Sequence, residues 1–368
     1  MIFVRQSVFV ISLLSLLACA QDKNPINKEH TYDLVVSDLV NPWGFVFLPD
    51  NSMLINEKEG KIIHYKNGEK TEMNDVPVVY NRGQGGLLDI KLHPNYKDNG
   101  WIYLTYASSE GEDKGGHTAV MRAKLKDNTL VEKEVLYKAT PNTTKGQHFG
   151  SRIVFDDDGY LFFTIGERGN RDENPQDVTR DGGKVYRLHD DGTIPKDNPF
   201  VNEENAKTAI FSYGHRNPQG MVIHPDTREI WTHEHGPKGG DEINIIKAGK
   251  NYGWPVITYG VNYIGTEITD ETSRPGMKQP LHYWVPSIAP SGMEFISSDN
   301  YKGWKGNLLV GSLKFEYLDN CYIKDGKVIK EERLLDGLGR VRSINQGPDG
   351  FIYVGIENLG IVKLLQTK

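Results

Sequence analysis

Short apolar runs rich in Val, Ile, Phe, Tyr and Trp alternate along the chain with turns built from Pro, Asp, Asn and Gly, and one phrase recurs in related forms. Its copies are Gly44-FVFLPDNSMLIN, Leu88-DIKLHPNYKDNGWIYLTY, Ser151-RIVFDDDGYLFFTIG, Gly220-MVIHPDTREIWTHE, Gly292-MEFISSDNYKGWKGNLLVGS and Ser343-INQGPDGFIYVGI. Each sets two strand-length runs about a turn, the signature of a β-hairpin. No long helical period interrupts them. A lone hairpin cannot bury its faces, whereas units stacked around an axis can. The pattern therefore predicts an all-β fold, a six-bladed β-propeller. A pair of β-sandwiches is the alternative, and it leaves the repeated phrase unexplained. The weakly alternating segment Tyr32 to Leu39 precedes the first unit and is expected to close the ring against the last blade, which removes a free sheet edge.

With 368 residues, 38% hydrophobic and 25% charged, the chain has the composition of a soluble globular protein able to bury a sizeable core. A net charge of -6 and no basic stripe exclude broad electrostatic attraction to nucleic acid. Residues 1–20 read as an export signal: Arg5 supplies the positive flank, and the apolar run from Val8 to Ala18 is too short for a stable membrane span. Leu16-Leu17-Ala18-Cys19 resembles a lipoprotein cleavage box, while Ala18-Cys19-Ala20 also fits ordinary small-residue cleavage. Lipidation at Cys19 is favoured because cysteine is otherwise scarce. The other cysteine, Cys321, is expected as a free structural thiol, so no intramolecular disulfide framework is available. Residues 21–31 are expected as a flexible tether and residues 32–368 as the propeller.

Candidate chemistry comes from position in the repeat. Gln84 in RGQGG, His148 in GQHFG and Arg216-Asn217 in GHRNP each lie just before the first run of a unit, and Arg340 and Arg342 precede the last. Loops at one end of a propeller converge on its axis, so these residues are expected to share one site. Arg216, Lys314, Arg340 and Arg342 on a net-acidic chain predict a pocket for an anionic, polycarboxylated ligand, because guanidinium forks match carboxylates. His148 is the general-base candidate, with Glu167 at the end of the following strand. The stretch Phe211 to Pro255 adds His233-Glu234-His235-Gly236-Pro237, which does not match a helical HExxH zinc motif. An oxygen-rich calcium site suits it better, with carbonyls from Gly236 and Pro237 and the carboxylates of Asp241 and Glu242 nearby.

Taken in order, NPWGFVFLPD, GQGGLLDIKLHP, GQHFGSRIVFDDDG, IGERGN, GHRNPQG, HEHGPKGGDEIN, NYGWP, SIAPSG, GSLK and GRVRSINQGPDG resemble the soluble pyrroloquinoline quinone (PQQ)-dependent glucose dehydrogenases. The chain is more closely similar to their bacterial relatives, the aldose sugar dehydrogenases, from about Tyr32 to Leu365. The resemblance implies a six-bladed propeller using PQQ and Ca2+. It makes His148 the base that takes the proton of the sugar's C1 hydroxyl while hydride moves from C1 to C5 of the quinone. It places Gln84 in the pocket lining, Arg216 and Asn217 on the quinone oxygens, and Lys314, Arg340 and Arg342 on the cofactor carboxylates, with Ser287 as a further contact. The carbonyls of Gly236 and Pro237 then hold the calcium that binds the cofactor, and Glu242 and Tyr252 hold a second, structural calcium. In two respects the chain departs from the glucose enzymes: Gln147 stands where they have an aspartate, and the chain is shorter. The expectation is an exported quinoprotein that oxidises an aldose to its lactone and passes electrons to an external acceptor, touching a membrane only through its lipid. Its rivals are a calcium-dependent, lactonase-like propeller hydrolase and a lipid-anchored, non-catalytic binding module.

Overall fold

The recurring phrases fold into the first two strands of six four-stranded antiparallel sheets in a computed structural model that describes residues 25–367. The first strands, Pro42–Phe47, Leu87–Leu92, Ile153–Phe155, Pro218–Ile223, Pro290–Phe295 and Val341–Gln346, are one another's neighbours around a central axis. The fold is a six-bladed β-propeller, and the α-helix among the described residues is a single turn, Tyr96–Asn99.

The apolar runs are continuous, rather than alternating, because each blade is buried on both faces. In the first strand of blade one, Val46 packs with Ile90 and Leu104 of blade two, whereas its neighbour Phe45 packs with Tyr353 and Ile361 of blade six. Blade three repeats this: Ile153 faces Tyr103 and Val120, and Val154 faces Met221 and Ile230. Successive side chains point to opposite faces of a strand, so an apolar residue at every position feeds two neighbouring interfaces.

Ring closure brings the chain ends together. His30–Ser37 pairs antiparallel with Gly360–Gln366 as the outer strand of blade six, Tyr32 opposite Leu364. The closing strand thus lies where the sequence placed it and starts two residues earlier. The preceding residues are also engaged. Arg333 N–H donates to Pro25 O at 2.8 Å and Asn27 N–H to Arg333 O at 2.9 Å, so the described end of the expected tether lies along the outer strand Lys327–Leu334, whose edge offers unpaired backbone groups. The export leader and Cys19 lie outside the described residues. Cys321 is a buried free thiol.

Arg152 ties the blades at the axis. It lies just ahead of the first strand of blade three and donates to Trp43 O at 3.2 Å, Gln219 O at 2.8 Å, Arg342 O at 3.0 Å and Asp89 Oδ1 at 3.0 Å. Asp89 Oδ2 in turn accepts from the backbone of Ile153 at 2.9 Å. One buried guanidinium therefore joins blades one, two, four and six to blade three, and its bond to Arg342 fixes the backbone of a predicted site residue.

Candidate active site

The pre-strand loops converge as expected. Gln84 N–H donates to Gly146 O at 2.7 Å, and Gln84 Oε1 accepts from the backbone N–H of His148 at 2.8 Å, so the RGQGG and GQHFG loops are stitched together. Glycine is required at the seam: a Cβ on Gly83, whose φ is +60, would lie 2.2 Å from Gly146 O. His148 itself has φ 57, a left-handed conformation uncommon outside glycine and concentrated at functional sites. Arg168, from the IGERGN phrase, holds that loop. Its guanidinium donates to Gln147 O and, at 2.8 Å, to Lys145 O, and lies 3.4 Å from the centre of the Phe149 ring.

His148 Nδ1 is hydrogen-bonded to Glu167, which leaves Nε2 as the ring's free nitrogen. Burial and the positive charge of Arg216 lower the imidazole's pKa, and Glu167 offsets part of that. That favours the neutral ring, the form able to accept a proton. Burial favours a protonated Glu167, but the hydrogen bond and charge of His148, with Arg216, outweigh it and hold the carboxyl low.

Two clefts meet at Gln84. One, of about 510 Å³, is lined by His148, Glu167, Gln147, Arg216, Pro237 and Trp254 among others. The second, of about 370 Å³, holds Lys58, Gln219, Arg340, Arg342 and Glu357. Arg340 Nε and Arg342 Nε donate to the two oxygens of Glu357 at 2.8 and 3.0 Å. A carboxylate of the chain thus occupies the fork that a ligand carboxylate would meet. Lys58 and Glu357 are additions to the predicted set; each sits in a strand-to-strand turn of its own blade, away from the pre-strand loops that carried the sequence signal.

Arg216 is anchored by its backbone N–H to Glu234 at 2.5 Å and by its guanidinium to His235 O at 3.0 Å and Gly236 O at 2.8 Å. Asn217 Oδ1 accepts from Gly150 N–H at 3.1 Å. Three buried polar atoms near the His148 cleft, Asn217 Nδ2, Glu167 Oε2 and Trp254 Nε1, lack a hydrogen-bond partner.

The structure does not bring every predicted residue to the clefts. Lys314 is exposed, its ammonium 4.6 Å from the centre of the Phe315 ring. The Ser287 hydroxyl donates to Asp241. Asp241 also accepts from the backbone of Gly236, Ile288 and Ala289, at 2.7, 2.7 and 2.8 Å, so this carboxylate pins the 287–289 turn rather than standing open to a cation. Glu242 is different. It lies directly opposite Glu234 in the strand pair and lines a small cavity with Glu234, Tyr252 and Trp254. Burial, then the charges of Glu234 and Asp241, push its pKa up to about 8. Facing carboxylates of this kind call for a proton or a hard cation. The Tyr252 hydroxyl is committed to Ile245 O at 2.6 Å and Lys247 N at 2.9 Å, so what Tyr252 can offer a cation is its backbone oxygen.

A propeller whose axial end carries a supported histidine beside a basic cleft matches a known class. The Glucose / Sorbosone dehydrogenase family model matches residues 39–363, and the chain belongs to that family. It is 40% identical over 359 residues to the aldose sugar dehydrogenase of Escherichia coli strain K12, covering 95% of each chain. The apo-form crystal structure of the soluble E. coli enzyme superposes with a TM-score of 0.88 at 39% identity, over 92% of this chain and 99% of that one. The PQQ-bound aldose sugar dehydrogenase of Streptomyces coelicolor gives 0.75 at 26% identity, over 93% and 99%.

Proposed function

We propose that this protein oxidises aldoses at C1 to lactones, with PQQ and calcium as cofactors and an external acceptor for the electrons. The observation that carries the reading is the junction at Gln84: the cleft lined by the His148 imidazole, held by Glu167, meets there the second cleft, in which Arg340 and Arg342 already grip a carboxylate. PQQ, when bound, supplies the hydride acceptor. The chain's residues do the rest. Arg340 and Arg342 orient the cofactor carboxylates and Arg216 faces its carbonyl oxygens, while Asn217, fully buried outside both clefts with its Oδ1 on Gly150 N–H, reaches them only by moving. His148 Nε2 accepts the C1 hydroxyl proton, and Glu167 stabilises the imidazolium that forms. The carbonyls of Pro237 and, once released from the Arg216 guanidinium that now holds it, of Gly236 are the hard donors for a calcium at the cofactor, and Glu242 with the Tyr252 carbonyl for a second one. Lys314 and Ser287 stay in the proposal as residues that reach the cofactor only by moving from their present partners.

Export through residues 1–20 and lipid anchoring at Cys19 belong to the same proposal. Among the described residues no helix is long and apolar enough to cross a membrane. Dye reduction by purified protein, with added PQQ and calcium and a panel of aldoses, tests the function. Activity should need both additions and vanish with a calcium chelator, and full activity in chelator without added PQQ would overturn the reading.

A further inference from the structure

We propose that Lys58 is a carboxylate-binding residue of the basic cleft, the cation there that no acid of the chain already holds. The inference rests on the reading of this cleft as the quinone site. Three cations, Lys58, Arg340 and Arg342, line the cleft with one carboxylate, Glu357. Both arginines are paired with Glu357. Among the described residues the Lys58 ammonium forms no ion pair; its partners are neutral oxygens, Asn81 Oδ1 at 2.9 Å and Gly85 O at 3.3 Å. A neutral oxygen is a weaker partner for an ammonium than a carboxylate, so an arriving anion gains most at Lys58.

The backbone is built to aim this side chain. Lys58 N–H donates to Asn41 O at 3.1 Å, and its carbonyl accepts from Leu87 N–H at 2.8 Å, so the residue is clamped between blades one and two. The glycine-rich loop is moulded around it: a Cβ on Gly86 would lie 2.0 Å from Lys58 O and 2.8 Å from Lys58 Cγ. The RGQGG phrase therefore serves two purposes, presenting Gln84 at the junction and leaving room for Lys58 beside it. Burial lowers the Lys58 pKa, with Arg342 adding to it, and the more distant charges of Glu59 and Glu357, neither within ion-pair reach, offset part of that. Three cations against one acid leave the cleft with surplus positive charge, which suits a ligand bearing several carboxylates.

The test is equilibrium binding of PQQ to the full chain in calcium, followed by fluorescence quenching at several salt concentrations, for wild type, Lys58→Gln and Lys58→Arg. Lys58→Gln should weaken binding roughly tenfold or more, the worth of a charge-assisted hydrogen bond. Its affinity should also fall less steeply with salt than that of wild type, because one screened attraction is gone. Lys58→Arg should restore most of the affinity, which a purely structural role would not predict once thermal melting shows all three proteins folded. Wild-type binding with an unchanged Lys58→Gln affinity and salt dependence would overturn this inference alone. No PQQ binding by wild type would overturn the reading of the cleft as well.

Discussion

Arg152 and Asp89 form a buried ion pair on the propeller axis, with Nη1 3.0 Å from Oδ1. The remaining donors of Arg152 go to backbone carbonyls of three other blades, and Asp89 caps the backbone of Ile153. Each nitrogen of Arg152 and each carboxylate oxygen of Asp89 has a partner, which is the condition under which a buried pair is tolerated.

Removing one partner should therefore be costly. Arg152→Met should lower unfolding stability by about 3–5 kcal/mol, since it strands the Asp89 charge. Urea unfolding of Arg152→Met, Asp89→Leu and the double variant checks this. The double variant should lose less than the sum of the single losses, and strict additivity would show that the pair is not coupled.

The His148–Glu167 hydrogen bond makes a kinetic prediction. His148→Asn should bind PQQ nearly normally yet turn over roughly 10²–10⁴-fold more slowly, the usual worth of a general base. Because the His148 pKa is lowered, its base form should persist below the ordinary histidine range, and kcat/KM should fall only on the acid side of it. Glu167 raises that pKa, so Glu167→Gln should move the acid limb to still lower pH and reduce the plateau. A pH–rate profile for each variant decides the matter, and an unmoved acid limb in Glu167→Gln would remove Glu167 from its supporting role.

The six blades were legible in the sequence because each repeated phrase is buried on two faces, and continuous apolar runs about a turn leave few other folds. Gln84, His148 and Arg216 were legible for a related reason: they occupy one position relative to the inner strands. Lys58 and Glu357 escaped because they reach the cleft from strand-to-strand turns, where a charged residue reads as ordinary surface. Asp241 looked like a cation ligand by type, but hydrogen bonds from Ser287 and three backbone N–H groups claim its oxygens, which composition cannot reveal.

A calcium at Glu242, as proposed, would be linked to pH. The Glu242 carboxyl, pushed up to about 8, favours the protonated form in the metal-free fold, so stability from this group is full below the normal carboxyl pKa and is lost as pH rises through about 8. A cation binds the deprotonated form and reverses that loss. Thermal melting of chelated protein should show added calcium raising Tm more at pH 8 than at pH 5. Equal shifts at both values would argue against a calcium at Glu242.

If Cys19 carries lipid, Cys19→Ser should move the protein from the membrane fraction to the soluble fraction of expressing cells. An unchanged distribution would discard the anchor and leave ordinary signal cleavage.

The most direct test of the account is a single turnover: protein loaded with PQQ and calcium is mixed anaerobically with glucose carrying hydrogen or deuterium at C1, while quinone absorbance and sugar product are followed. The account predicts reduction of the quinone with one lactone formed per quinone reduced, slower with deuterium at C1. An unchanged quinone spectrum with every aldose tried, from protein shown to hold the cofactor, would contradict it.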